Sequence, residues 1–200
     1  MNKVIPYGKQ SITDEDIDAV VQSLKEDLIT QGHIVPKFEE LVSKYLDAKY
    51  GVAVNSGTAA LHIACMSINL SANDIVITTP ITFVASANAA RYCGAKVEFV
   101  DIDPLTKCID VKLLEERLKT KPVGYYKAVI VVDFAGYPSD LENLRKLADR
   151  YNFYLIEDAC HGLGGGFYNS KNEYHKLASC SYADISILSF HPVKHITTGE

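Results

Sequence analysis

Residues 128–134, Ala-Val-Ile-Val-Val-Asp-Phe, form an unbroken apolar run of strand length that ends at a carboxylate. A strand wet on one face alternates apolar and polar residues. A continuous β-branched run is what a strand covered on both faces requires. The next segment has the other period. Ser139 and Glu142 stand three apart, the spacing of a capping box, ahead of a helix from Leu141 to Tyr151. Tyr154 to Asp158 (YLIED) then reads as a second buried strand, and Asp184 to Phe190 (DISILSF) as the last one.

Upstream the same alternation continues. Thr13 and Asp16 make a capping box before Ile17, Val20, Val21 and Leu24, which recur at helical spacing. Phe38, Leu41, Val42 and Tyr45 do so again after Pro36. Gly51 to Val54 is expected as a strand and Thr58 to Asn69 as the helix after it. Ile75 to Thr79 is a strand followed by a helix from Thr82 to Tyr92. Lys96 to Ile102 is a strand, and Asp110 caps a helix running to about Lys119. Strands alternating with helices predict an α/β fold: a mostly parallel central sheet with helices on both faces. Such sheets bind ligands outside the carboxyl ends of their strands.

Composition narrows the class. The chain has 200 residues, 48% of them apolar and 22% charged, with a net charge of -5. That is an ordinary globular composition. No basic run points to nucleic acid and no basic amphipathic stretch to a membrane surface. The start, MNKVIPYGKQ, lacks a signal-peptide apolar region, and no apolar run approaches the roughly 20 residues that span a bilayer. Cys65, Cys93, Cys108, Cys160 and Cys180 form no CxxC pair and no zinc-like spacing. They read as free thiols in a reducing cytoplasm, and no metal is expected. The last residues, Thr197-Thr198-Gly199-Glu200, follow directly on a candidate active-site segment, so the polypeptide reads as one cut short.

Four groups could carry chemistry, all at expected strand ends. Asn55-Ser56-Gly57-Thr58-Ala59-Ala60 joins a strand to a helix. Backbone N–H groups at a helix start, with small side chains, suit a phosphate; a plain helix cap uses the same residues. Asp158 ends an apolar strand, where a carboxylate needs a partner: a protonated ring nitrogen, a cation or a helix start. His161, three residues on, can bond a cofactor oxygen or orient Asp158. Ser189 and Lys194 follow the last strand, with Pro192 fixing the turn. A lysine there can form a Schiff base, or simply be solvated. Phe83 is either core or a surface that stacks on a flat ring.

Read in order, these segments resemble the DegT/DnrJ/EryC1/StrS family of fold type I aminotransferases. The match is carried by Thr30-Gln31-Gly32 with Phe38-Glu39, by Asn55 to Leu61 and by Thr79 to Asn88. Glu157-Asp158-Ala159-Cys160-His161 and Ser189 to Glu200 complete it. The resemblance implies pyridoxal 5'-phosphate as cofactor. Lys194 would be its anchor and the catalytic base, and Asp158 would pair with the pyridine nitrogen. Ser189, Ser56, Gly57, Thr58 and Ala59 would hold the phosphate, with Phe83 against the ring and His161 beside it.

Within the family, Ile5-Pro6-Tyr7, Leu28-Ile29-Thr30-Gln31 and Ser189-Phe190-His191-Pro192-Val193-Lys194 most resemble members that serve pseudaminic acid synthesis. Those members aminate C4 of UDP-2-acetamido-2,6-dideoxy-β-L-arabino-hexos-4-ulose with L-glutamate. Tyr7, Leu28, Ile29 and Thr30 would then contact the UDP-linked sugar. The resemblance further implies a homodimer with sites at the interface. Residues 1–200 would be an N-terminal segment and most of the large domain, with a smaller C-terminal domain absent. Family members of perosamine or 4-amino-arabinose type are the alternative specificity, and an inactive fragment is the alternative state. Relatives that dehydrate at C3 carry His in place of the lysine, which Lys194 argues against.

Overall fold

The computed structural model describes residue 6 and residues 8–199. Its centre is a parallel sheet of five strands: β1 (Ile75–Thr78), β2 (Lys96–Phe99), β3 (Ala128–Val132), β4 (Tyr154–Asp158) and β7 (Ile185–Ile187), in the order β2-β1-β3-β4-β7. The order reverses between β1 and β3, because β2 leaves to one side of β1 and β3 to the other. At such a point the connecting segments diverge and leave a crevice at the carboxyl ends.

The sheet sits between two apolar layers, and strand alternation decides which residue enters which. Ala128 and Ile130 of β3, Ile156 of β4 and Val76 of β1 pack on one side with Leu61, Ala64, Ala85 and Ala89. Those come from α3 (Gly57–Ser67) and α4 (Ala85–Tyr92). Val129, Val131, Leu155 and Ile77 pack on the other side with Leu114, Leu144 and Leu147. Those come from α5 (Val111–Lys119) and α6 (Leu141–Tyr151). All five residues of β3 are buried, as the apolar run requires. The expected fold class is the one observed, with strand and helix ends trimmed by one to three residues.

Three local expectations change. Residues 51–54 form no strand: Gly51 presses on the Glu39 carbonyl of α2 (Ile34–Leu46), and the Ala53 N–H goes to the Glu39 carboxylate at 2.8 Å. The segment is held by a helix, with Val52 77% exposed. Asp140, not Ser139, caps α6, accepting the Asn143 N–H at 3.2 Å. Ser139 is buried and tied to Asp133 and the Val132 carbonyl, while Glu142 turns away to take both the N–H and the hydroxyl of Ser170. A hairpin of β5 (Gly166–Tyr168) and β6 (Tyr174–Lys176) also appears, too short to leave a period in the sequence.

The first helix, α1 (Asp14–Leu24), does carry the Thr13–Asp16 capping box. Its apolar stripe nevertheless stays open among the described residues: Ile17, Val20 and Leu24 are exposed and the helix buries no residue. No helix of the described residues is long and apolar enough to cross a membrane.

Candidate active site

Four segments leave the carboxyl edge of the sheet side by side. They are residues 79–84 after β1, residues 133–136 after β3, residues 159–161 after β4 and residues 188–194 after β7. Sheet register brings them together: Val132 pairs with Asp158, and Asp158 with Ile187.

Asp158 is the centre of this edge. It is 4% exposed, and alternation along β4 turns it toward the α3/α4 layer. Its Oδ2 accepts the Ser86 hydroxyl at 2.8 Å and its Oδ1 the Cys160 N–H at 3.3 Å. Both oxygens of this buried carboxylate thus have a donor within the protein, as burial of a polar group requires. On the α3 side stands Gly57. A side chain there would meet Cys160 Sγ and Ser189 Cβ, each 3.4 Å from the added Cβ. Gly57 thus sets the α3 N-terminus against the end of β4 and Ser189 together. Ser56 caps α3, its Oγ accepting the Ala59 N–H at 3.2 Å. The N–H groups of Gly57 and Thr58 precede the helix ladder and point outward with the positive end of the helix dipole. Ser189 itself accepts the His191 N–H at 3.4 Å.

Lys194 is half-buried on a turn closed by its own N–H donating to the His191 carbonyl at 2.8 Å. Its charge is felt at Cys160 and His161. Burial first, then the Lys194 charge, lowers the His161 pKa from the ordinary imidazole value, against an upward pull from Asp158. His161 is thus held toward its neutral form, able to donate or accept one hydrogen bond. Burial and the Asp158 carboxylate push the Cys160 thiol pKa up, so Cys160 stays protonated and unreactive.

His161 depends on a tight turn. Gly136 has φ +81°, and a Cβ there would lie 2.7 Å from the His161 carbonyl oxygen. On the opposite flank Phe38 of α2 meets Phe190 edge-on at 5.1 Å and braces the 188–194 segment.

The structure thus places Asp158, His161, Ser189, Lys194 and the Ser56–Ala59 turn around one sheet edge. Phe83 is 71% exposed, which removes the core reading and leaves its ring open at the same edge. Leu28 and Ile29 are 66% and 70% exposed on the loop between α1 and α2, with Thr30 exposed beside them. The hydrogen bonds that build the edge involve none of these three. Tyr7 lies outside the described residues, although its neighbour Gly8 packs on Val193, an added Cβ falling 3.5 Å from Val193 Cβ. Sequence reading passed over Ser86, Thr82 and Gly136. Ser86 had a faint trace: a small polar residue on the first turn of a helix that follows a strand.

A family model described as the DegT/DnrJ/EryC1/StrS aminotransferase family matches residues 10–200. A Campylobacter jejuni subsp. jejuni serotype O:23/36 (strain 81-176) protein named UDP-4-amino-4,6-dideoxy-N-acetyl-beta-L-altrosamine transaminase is 44% identical over 98% of the chain and 50% of its own length. The solved structure of PseC from Helicobacter pylori, described as an aminotransferase involved in pseudoaminic acid biosynthesis, superposes with a TM-score of 0.85 at 32% identity, over 99% of this chain and 51% of that one. The PLP-form of Spr1654 from Streptococcus pneumoniae, described as a putative sugar aminotransferase, superposes at 0.84 with 29% identity, covering 98% of this chain and 51% of that one. The chain spans about half the length of the curated relatives it matches.

Proposed function

The chain belongs to the DegT/DnrJ/EryC1/StrS aminotransferase family, and from that premise we propose that it forms the cofactor-holding part of a pyridoxal-phosphate-dependent sugar aminotransferase. One observation carries the proposal. A buried, doubly hydrogen-bonded carboxylate, Asp158, shares its strand edge with Lys194, an open aromatic ring and an N-terminal helix turn cleared of side chain at Gly57. Few ligands call for all of these at once. A flat phosphorylated pyridine does.

Each residue then has a task. Lys194 would hold the cofactor covalently through its amine, and that same amine, when free, would be placed to accept a proton from the amino donor's Cα. The Asp158 carboxylate would pair with the ring nitrogen and hold a proton there. The Gly57, Thr58 and Ala59 backbone with Ser56 and Ser189 binds the phosphate. Phe83 covers the ring and His161, neutral, bonds beside it. Pyridoxal phosphate, when bound, supplies the electron sink that the side chains lack.

L-glutamate is the amino donor. The acceptor is a UDP-linked 4-keto-6-deoxy-N-acetylhexosamine, in which C4 is aminated as in pseudaminic acid synthesis. The 44% identical transaminase supports that specificity. Tyr7, Leu28, Ile29 and Thr30 contact the sugar, in a cytoplasmic homodimer whose sites lie at the interface. Residues 1–200 form the N-terminal segment and most of the large domain, and a smaller domain completes the site.

The test is spectroscopic. Incubated with pyridoxal phosphate, the protein gains a visible absorbance band; Lys194→Ala loses the band while its circular dichroism is unchanged. A Lys194→Ala variant with the wild-type band would refute the assignment. Supplied with a panel of nucleotide keto-sugars and glutamate, the protein releases 2-oxoglutarate fastest with the UDP-linked 4-keto-hexosamine. Preference for a GDP-linked sugar would move the specificity to the perosamine type.

A further inference from the structure

Asp158 has both carboxylate oxygens engaged, and one of the partners does more than fill a vacancy. Ser86 is 0% exposed on the first turn of α4. A serine at that position ordinarily bonds back to its own helix or caps it. Ser86 instead sends its hydroxyl to a residue 72 positions away, Asp158 Oδ2, at 2.8 Å. The Thr82 hydroxyl lies 2.7 Å from the same Ser86 oxygen.

The direction of this row follows from proton count. A carboxylate only accepts, and a hydroxyl has one proton to give. Ser86 commits its proton to Asp158, so in the contact between the hydroxyls Thr82 donates and Ser86 accepts. The row runs Thr82 to Ser86 to Asp158, and each bond polarises the next. It also starts one residue from Phe83. The turn that presents the open ring is thereby tied to the carboxylate on the neighbouring part of the edge.

We propose that Ser86, polarised by Thr82, is a positioning residue: it fixes the rotation of the Asp158 carboxylate and so sets how Asp158 meets the protonated ring nitrogen of the cofactor. The inference rests on the pyridoxal phosphate reading above and adds to it the residues that orient the carboxylate.

The experiment measures equilibrium binding of two ligands to the purified protein: pyridoxal phosphate, and its analogue with CH in place of the ring nitrogen. The wild type prefers pyridoxal phosphate. Ser86→Ala loses about tenfold of its affinity for pyridoxal phosphate, the size expected when a donor to a charged group is removed, and keeps its affinity for the analogue. Thr82→Val shows a smaller loss of the same selective kind, and Ser86→Thr restores the preference. A Ser86 that served only packing would weaken both ligands equally, and that result, or no change with either, overturns the proposal while the cofactor assignment stands. A wild type that binds the two ligands alike contradicts the pairing of Asp158 with the ring nitrogen, and the role of Ser86 falls with it. Thr82→Val, a near-isosteric change at a half-buried position, decides the matter should Ser86→Ala fail to fold.

Discussion

Asp133 and Glu157 are both buried on the α5/α6 side of the sheet, at 0% and 1% exposure. Asp133 Oδ1 accepts the Ser139 N–H at 2.9 Å, while Oδ2 is buried with no hydrogen-bond partner among the described residues. The neighbouring Glu157 carboxylate already accepts from Ala178 and Ser186. Burial above all, and then the Glu157 charge, hold Asp133 well above the usual carboxylate range. A proton on Asp133 gives the pair its missing donor. The sign of the linkage follows. A raised folded-state pKa gives stability that is fully present below the unfolded value and is lost as pH rises through the folded one. Asp133→Asn puts an N–H where the proton sits. Urea unfolding should show the variant more stable than wild type at mildly alkaline pH, by about 1 kcal/mol or more, with the gap closing in acid. A variant less stable at alkaline pH would show that Asp133 is ionised in the fold. Period-2 reading of β4 could send Glu157 and Asp158 to opposite faces. It could not show that Glu157 would meet a second acid, because that contact needs the register of β3 against β4.

At the scale of elements, the sequence was legible wherever one period ran long enough. The β3 run and the α6 stripe declare themselves, and the Thr13–Asp16 box sits where its spacing says. Failures fall where a distant partner outbid the local one. Glu142 has the capping-box position but takes Ser170, whose hydroxyl and N–H pull its carboxyl down to about 2. Residues 51–54 have strand composition but Glu39 claims their backbone. The turn after β3 is the element on which the site most depends. Ala135 and Gly136 both have positive φ, 54° and 81°, and the Gly136 backbone packs under the His161 carbonyl. Gly136→Ala adds a left-handed penalty of about 1–2 kcal/mol and forces the His161 segment to shift. A melting point lower by roughly 4 °C or more is expected, together with weaker pyridoxal phosphate binding. An unchanged melting point would show that the turn relaxes freely.

For the whole molecule, topology does what no single motif could. Each candidate residue had an ordinary alternative use in the sequence, and the order of the motifs, through the family resemblance, was what tied them together. The sheet reverses its strand order between β1 and β3 and registers Asp158 against Ile187. That arrangement gathers turns from residues 56–59, 79–86, 133–136, 158–161 and 188–194 onto one edge, although they are spread over most of the chain. The exposed stripe of α1 and the open loop at Leu28 and Ile29 lie apart from the packed layers that the sheet organises.

The sheet edge is proposed to hold pyridoxal phosphate through one lysine, Lys194. The most direct measurement is borohydride reduction of the protein with pyridoxal phosphate, followed by proteolysis and peptide mass analysis. A single phosphopyridoxyl mass increment is expected, on the peptide that contains Lys194 and at that residue. An increment spread over surface lysines, or none on Lys194, would contradict it.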